Sequence, residues 1–515
     1  MSTSLTSTAK KVRVLWVYPN IPLSTILPLG ITLLDSYLKE CKDLEVESEV
    51  FETTYYQQDG ISSEDWRVKL GQILPSKSIH EYFGGMDKAI QDFQKKVLEY
   101  QPDVIGVSCT DFTHKIGERL INGHKEWYKR PHICCVGGIF ASFAYDYLLD
   151  FGQYDVVQRF EGFKSMEYIC KHWDGDLSQC PNAAFRVDGK TVLNPLAAPV
   201  DIETLPFPNY DLFPRWRMQR PMGGKLYSMY NILDSLGCAG QCAICCAPTI
   251  FKSYKNEGHC YLRVKSADRI MEELKWAKEH YDVKYFYFSS ETFMLGNKQK
   301  FREFMERYRD EIHLPFWCEA RVAELLQEDY AKILKNAGID RISVGLESGN
   351  EEYRRKVMHK AFTNEQFHEA VRRTRAEGVK MTINAVLGCP DETRETVFDT
   401  IMTMKSVAEG DPGISLSASV FCPCYGSQFR QIAVEKGYFD PKAWDNMDWN
   451  SFHMTQIALD NPGFPAKEVQ GIYKCFTLYT KMPYEFWDDI KKAETDDAEF
   501  ERLMKIYNER YRNVG

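Results

Sequence analysis

"GCAGQCAICCAP", residues 237–248, sets Cys238, Cys242, Cys245 and Cys246 within nine positions of a 515-residue chain that holds 16 cysteines in all. Cys238, Cys242 and Cys245 fall at C-x3-C-x2-C; counting through Cys246 instead gives C-x3-C-x3-C. Most iron–sulfur clusters take four cysteines. Three thiolates hold a 4Fe-4S cluster with one iron left free of protein, and an open iron can bind a substrate or cofactor. Structural zinc is the competing use of closely spaced thiols. It needs a fourth ligand, yet no second C-x2-C or H-x3-H pair follows, and His259 and Cys260 are the nearest candidates.

Working outward, the loop is preceded by "KLYSMYNILDS" and followed by a regular alternation of helix and strand. "SADRIMEELKWAKEHY" has helical apolar spacing and leads into the strand "VKYFYFS". The units continue through "PFWCEAR", "RISVGLES", "KMTINAVLG" and "ISLSASVF", each strand introduced by a helix. Six strands, the first five each followed by a helix, predict a partial (β/α)6 barrel of TIM type over 226–425. Chemistry in such barrels lies at the carboxyl ends of the strands.

Upstream, "KVRVLWVYP", "VESEVFET", "VIGVSC", "HICCVGG" and "DVVQRF" read as strands, with helices at 29–41 and around 88–103. This alternation predicts a doubly wound, Rossmann-like parallel sheet over 11–190, whose ligands bind beyond the strands' carboxyl ends. Gly137 and Gly138 follow a strand directly, which suits either a plain turn or a close approach of backbone to ligand. Residues 1–10 read as a disordered terminus, the proline-rich 191–225 as a linker, and 426–515 as a small helical region with Trp444, Trp449 and Trp487 that closes or lines the barrel mouth.

The composition is that of an ordinary α/β globular protein: 44% apolar, 27% charged, formal charge -9. That balance argues against a phosphate-backbone binder, so no nucleic-acid partner is expected. No signal-peptide pattern and no run of 18 apolar residues is present, which predicts a cytoplasmic protein without a membrane span. Most cysteines should then be reduced thiols; Cys41, Cys109, Cys134, Cys135, Cys170, Cys180, Cys260, Cys318 and Cys475 read as small buried hydrophobes.

The C-x3-C-x2-C loop after a first barrel strand resembles the radical S-adenosylmethionine (SAM) superfamily, and the likeness extends along the chain. "YFYFSSETF" is similar to the second-strand motif whose acid takes the SAM amino group; Glu291 fits, with Ser290 where relatives often carry another acid. "WCEARV" supplies Arg321, and "GIDRISVGLESGN" resembles the fourth-strand segment, whose Glu347 and Ser348 would approach the ribose and carboxylate. Ile244, inside the cysteine loop, would also touch SAM. "LGCPDET" and "FCPCYGSQFRQIAVEKG" resemble the segments after strands five and six, the latter with serine for the usual threonine.

The first domain resembles the cobalamin-binding domain of one large radical SAM subfamily. The resemblance implies that Pro19, Leu29, Gly30, Ser108, Thr110, Gly137, Gly138, Glu161 and Gly162 receive cobalamin. "DFTHKIG" departs from the Asp-x-His-x-x-Gly motif by one residue and follows the third strand, so His114 reads as an exposed helix-start histidine rather than a cobalt ligand. "EGF" at 161–163 departs from the usual Gly-Glu-Gly-Glu text.

What the family implies is a cobalamin-dependent radical SAM methyltransferase. The reduced cluster cleaves SAM to a 5′-deoxyadenosyl radical, which removes hydrogen from an unreactive carbon, and methylcobalamin delivers the methyl group. An apolar, water-excluding cavity is expected for such a radical. A small-molecule or peptide substrate and an external electron donor such as flavodoxin or ferredoxin are the implied partners. A radical cyclisation or rearrangement, or a non-catalytic cobalamin and iron–sulfur sensor, are the alternatives.

Overall fold

The computed structural model describes residues 9–57, 63–75, 81–293, 297–442 and 457–512. Trp444 and Trp449 lie outside the described residues, as do residues 1–8; Lys10 of the expected disordered terminus already belongs to the first strand. The chain forms two compact units, Met1–Gly60 with Ser78–Gln219 and Lys252–Tyr261, and Ile61–Lys77 with Arg220–Phe251 and Leu262–Gly515.

The first unit is built on seven strands: β1 (Lys10–Tyr18), β2 (Leu44–Glu52), β3 (Val104–Ser108), β4 (Ile133–Gly137), β5 (Val156–Gln158), β6 (Ala183–Val187) and β7 (Lys190–Leu193). They lie in the order β2-β1-β3-β4-β5-β6-β7. β1 to β5 pair in parallel, and β6 and β7 add an antiparallel margin. The β-branched runs that predicted the strands supply the core: Val12, Val14, Trp16, Val104 and Val156 are buried against Ile31 and Leu38 of helix Leu29–Lys39 and Met166 and Ile169 of helix Phe163–His172. Strand order reverses between β1 and β3, the crevice where open α/β sheets receive ligands.

The stretch read as a linker is tied into this unit by buried polar contacts. Fully buried Arg217 donates from Nε and Nη2 to the two carboxylate oxygens of Glu52, at 2.7 and 2.8 Å. Asn209 donates to Asp35 at 2.7 Å, and Asp35 also accepts from the Trp16 indole at 3.0 Å. Removing one partner of such a pair leaves a buried charge alone, at about 3–5 kcal/mol.

The second unit holds β8 (Gln219–Met222), β9 (Lys225–Ile232), β10 (Tyr285–Phe288), β11 (Phe316–Glu319), β12 (Ile339–Glu347), β13 (Lys380–Leu387) and β14 (Ile414–Val420), neighbours in sequence order. β9 to β14 are the six expected strands, all parallel, and β8 is an added edge. The connecting helices start where the sequence offers capping hydroxyls: Ser266, Thr363, Thr393 and Ser427 each accept a first-turn N–H.

The sheet's two faces differ in kind. Ile342, Val344, Leu346, Met381, Ile383, Leu416 and Ala418 are buried on the outer face. Their alternates are Ser343, Thr382, Asn384, Ser415 and Ser417, and Asn384 Nδ2 donates to Ser343 Oγ at 2.9 Å. A closed barrel fills its interior with branched aliphatics. Across β12 to β14 that face is polar.

Helices Ala466–Lys481 and Asp497–Arg510 form the C-terminal region. The first runs beside β14, from Lys481 Nζ on the Ile414 carbonyl at 3.3 Å to Val469 against Gly388 after β13. Arg394 reaches Glu468 of this helix at 3.5 Å and, at 2.6 and 2.9 Å, both oxygens of Glu494 at the end of helix Trp487–Ala493. An open sheet edge is thereby covered.

None of the 16 cysteines is joined in a disulfide. Cys109, Cys134, Cys135, Cys170, Cys180, Cys318 and Cys475 are buried as expected, and Cys41 is half-buried. Cys260 is exposed, against expectation, because it lies in the irregular stretch after helix Ala247–Asn256.

Candidate functional site

The cysteine loop follows β9 and is pinned by its own backbone. Ala243 N–H donates to the Met358 carbonyl at 3.0 Å, and the Ala243 carbonyl accepts from Phe429 N–H at 3.0 Å. Cys245 N–H closes a turn onto the Cys242 carbonyl at 3.1 Å. Gly240 is a glycine for a reason: a Cβ there would stand 3.2 Å from Cys238 Sγ and 3.8 Å from Cys242 Sγ. Gly240 N–H points at Cys238 Sγ at 3.3 Å, and Ala247 N–H at Cys245 Sγ at 3.4 Å.

Backbone amides aimed at sulfur favour thiolates, and hydrogen bonds to cluster sulfurs tune a cluster's potential. This donor set fits a thiolate-held cluster. Each sulfur would hold a separate iron and so need not converge on one point; among the described residues no group of three His, Cys, Asp or Glu does so. The Cys245 thiol is pulled down to about 6, first by a hydrogen bond from Cys246 and then by the Ala247 amide, while burial pushes Cys242 up. The zinc candidate His259 instead lies with its Nε2 on the Leu196 carbonyl at 3.2 Å.

Three glutamates stand at successive strand ends. Glu291 follows β10, Glu319 ends β11 and Glu347 ends β12, in two steps of 28 residues. Glu291 accepts from Gly237 N–H at 3.1 Å, which joins it to the start of the cysteine loop. It is open to solvent yet crowded, and loss of hydration pushes its carboxyl up.

Glu347 sits at φ 64°, in the left-handed region that a non-glycine rarely adopts, beside a register shift at Gly345. Its carboxylate meets Lys360 Nζ at 3.0 Å, and Lys360 also donates to the Gly345 carbonyl at 2.9 Å. The loop carrying Met358 and Lys360 therefore holds both the cysteine loop and Glu347. Glu319 has its carboxyl pushed up to about 7, chiefly by burial and next by Glu347, with Lys360 opposing. The sequence reading passed over both Glu319 and Lys360. The 28-residue spacing of the acids was the available signal for Glu319; a partner folded back from a loop left none for Lys360.

Arg321, Ser290, Ser348 and Ile244 take different places. Arg321 caps the turn at Val322–Leu325 and donates from Nε to both oxygens of Glu324, at 3.0 and 3.2 Å. Ser290 is buried near Asp234, whose carboxyl burial pushes up to about 7. Ser348 is fully buried; its Oγ accepts from Asn350 N–H at 3.3 Å and its carbonyl from Arg354 Nη1 at 2.6 Å. Ile244 is half-buried in the loop. Glu291, Glu347 and the cysteine loop are thus joined by direct contacts or a shared anchor, whereas Ser290 and Ser348 face the protein interior.

In the first unit, Pro19, Leu29, Gly30, Ser108, Thr110, Gly137, Gly138, Glu161 and Gly162 all lie at or just beyond the carboxyl ends of β1, β3, β4 and β5. A Cβ on Gly30 would meet nothing within 4 Å, Thr110 is exposed, and Ser108, Gly137 and Gly162 are small and half-buried. Such a rim leaves backbone open to a broad flat ligand, which fits cobalamin. Gly138 serves the fold: at φ 96° a Cβ would strike the Cys109 backbone. Glu161 accepts from Val200 N–H at 3.2 Å.

His114 is not the exposed residue expected. It is fully buried, stacked on Phe140 at 4.0 Å with Nδ1 3.0 Å from the Asp111 carbonyl, and desolvation pushes its pKa down to about 3. The apolar residues around its helix draw the ring inward.

Residues 232–403 match the family model of the Radical SAM superfamily. An uncharacterized methyltransferase of Pyrococcus horikoshii is 25% identical over 331 residues, covering 62% of this chain and 68% of the relative. An anaerobic magnesium-protoporphyrin IX monomethyl ester cyclase of Rubrivivax gelatinosus is 24% identical over 422 residues, 79% of this chain and 72% of the relative. Among solved structures, the cobalamin-dependent SAM radical enzyme OxsB with aqua-cobalamin bound superposes with TM-score 0.65 at 16% identity, over 97% of this chain and 73% of that one. The radical SAM methyltransferase TsrM of Kitasatospora setae, with cobalamin and a [4Fe-4S] cluster bound, gives TM-score 0.58 at 16% identity, over 83% and 79%. Among the described residues no helix is long and apolar enough to cross a membrane. Residues 232–403 thus match the Radical SAM superfamily model, and the chain shares its fold with OxsB and TsrM.

Proposed function

We propose that the chain is a cobalamin-dependent radical SAM methyltransferase that methylates an unactivated carbon. The observation that carries the reading is the shared anchor: the 358–360 loop fixes both the three-cysteine loop, through Ala243, and Glu347, through Lys360. In this reading one element supports both the cluster ligands and the acid that binds the ribose. Bound cluster and cobalamin supply the one-electron cleavage of SAM and the methyl transfer that side chains cannot perform.

Cys238, Cys242 and Cys245 hold the cluster and leave one iron for the amine and carboxylate of SAM. Glu291 takes the amino group, Glu347 the ribose diol, and Arg321 the carboxylate by leaving Glu324. Ile244 packs against the adenosyl part. Ser290 and Ser348, both buried, position Glu291 and Glu347 by fixing the turns that carry them. The strand-end rim of the first unit, from Pro19 and Leu29 to Gly162, receives the corrin. An external donor of the flavodoxin or ferredoxin type supplies electrons, and the protein works in the cytoplasm without nucleic acid.

The likeness to the cyclase of Rubrivivax gelatinosus favours a second reading, in which the same radical closes a ring. Methyl-labelled SAM separates the two. With a cell extract as substrate source, transfer of label to a product supports methylation. Formation of 5′-deoxyadenosine without any labelled product supports cyclisation, and absence of both overturns the enzyme.

A further inference from the structure

Two arginines on the polar face of the half-barrel meet only neutral acceptors. Arg341, on β12, donates from Nη1 to Ser415 Oγ at 2.7 Å, with Thr382 Oγ1 at 3.4 Å and the Met381 carbonyl at 3.5 Å. Arg67, on the short helix Ser63–Lys69, donates from Nη2 to Ser417 Oγ at 2.8 Å, and its Nε is buried without a partner. Arg217, Arg321 and Arg394 pair instead with Glu52, Glu324 and Glu494. Among the described residues, no carboxylate bridges Arg67 or Arg341.

Ser415 and Ser417 are alternate residues of one strand, so the two hydroxyls that receive the guanidiniums stand about 7 Å apart. Like charges at that separation repel, and the strain is relieved when an anion lies between them. A carboxylate or phosphate set there reaches both at charge-assisted hydrogen-bond lengths of about 2.7–2.9 Å. Register ties this spot to the site. Gly345, Asn384 and Ser417 are in line across β12, β13 and β14, and the Glu347 carboxylate folds back against Gly345. Two strand spacings, about 10 Å, separate Ser417 from that acid.

We propose that Arg67 and Arg341 form an anion subsite that grips a carboxylate or phosphate of the substrate and presents the rest of it toward Glu347 and the cysteine loop. The proposal rests on the reading that the strand ends turn over a substrate. It narrows that substrate to an anionic one whose charged group lies roughly 10 Å from the SAM ribose acid.

The test is a thermal-shift titration of the cluster-loaded full chain with inorganic phosphate, glutarate and the neutral glutaramide, each with and without saturating SAM. A saturable rise in melting temperature is expected with phosphate or glutarate and none with glutaramide; the anion that binds tells which class the substrate carries. Arg341→Gln and Arg67→Gln should each weaken that apparent Kd at least ten-fold. Melting temperatures of the ligand-free variants check the fold, and either variant alone suffices if the other does not fold. No saturable shift in wild type, or variants that titrate like wild type, overturns the subsite. A shift abolished by saturating SAM overturns it as well, since the pair would then hold SAM's own carboxylate. Failure of reduced wild type to form 5′-deoxyadenosine removes the radical reading while leaving the titration unaffected.

Discussion

Replacing Gly345 by alanine strikes the site through one atom. The new Cβ would clash with Glu347 Oε1 and stand 2.9 Å from Lys360 Nζ and 3.0 Å from Glu347 Cδ, so the carboxylate must shift from its place beside the ammonium. The Glu347–Lys360 pair is about four-fifths buried on both sides, at 17% and 18% exposure. Hydrogen bonds to charged groups at such sites are worth about 1.5–3 kcal/mol. If Glu347 turns out of reach of the ribose, a loss of that size weakens SAM binding about 10- to 100-fold. Equilibrium binding of SAM to the cluster-loaded Gly345→Ala chain measures it, with iron content and melting temperature to show that loop and fold survive. Affinity within two-fold of wild type in a folded, iron-replete variant would refute the placement of Glu347.

Three further outcomes follow from the structure. Cys245→Ala should lose the cluster's iron and sulfide after reconstitution, whereas Cys246→Ala should retain both; a cluster lost only in the second assigns the C-x3-C-x3-C spacing. Gly30→Leu adds bulk where a Cβ meets nothing, so melting should be unchanged while cobalamin retention falls at least ten-fold on gel filtration; unchanged retention would remove Gly30 from the rim. Glu392 is fully buried, accepts from Gly388 and Cys389 N–H at 2.6 and 3.1 Å, and has its pKa raised from 4.5 to about 8 by burial. A raised folded pKa favours the protonated form. Its stabilisation is therefore complete below about pH 4.5 and is lost as pH rises through about 8, on the order of 4 kcal/mol. Melting temperature should fall over that window in wild type and stay flatter in Glu392→Gln; parallel profiles would contradict the assignment.

What could be read from sequence was what is local. The cysteine spacing and the six barrel strands depend on neighbours a few residues apart, and the structure has the strands where the pattern puts them. Arg321 was visible as a residue, but its partner Glu324, three positions on, makes it a helix cap at the same time. Contacts closed by the fold were not visible. Lys360 reaches Glu347 only because the loop after β12 doubles back, and Glu319 gains its character chiefly from lost hydration and next from Glu347, neither of which shows in its sequence neighbours. His114 was read as exposed because polar residues flank it in sequence, while in space Phe140 and the third strand's loop enclose it. The inner face of β12 to β14 reads as ordinary alternation; that its serines meet Arg67, from 350 residues away, is a matter of topology.

The central claim is an iron open to SAM beside Glu291 and Glu347. Electron paramagnetic resonance of the dithionite-reduced, reconstituted chain, recorded with and without SAM, addresses it most directly. A reduced 4Fe-4S signal is expected whose g-values shift on adding SAM, unshifted in Gly345→Ala at the same SAM concentration and missing in Cys242→Ala. A reduced cluster whose spectrum is indifferent to saturating SAM would contradict it.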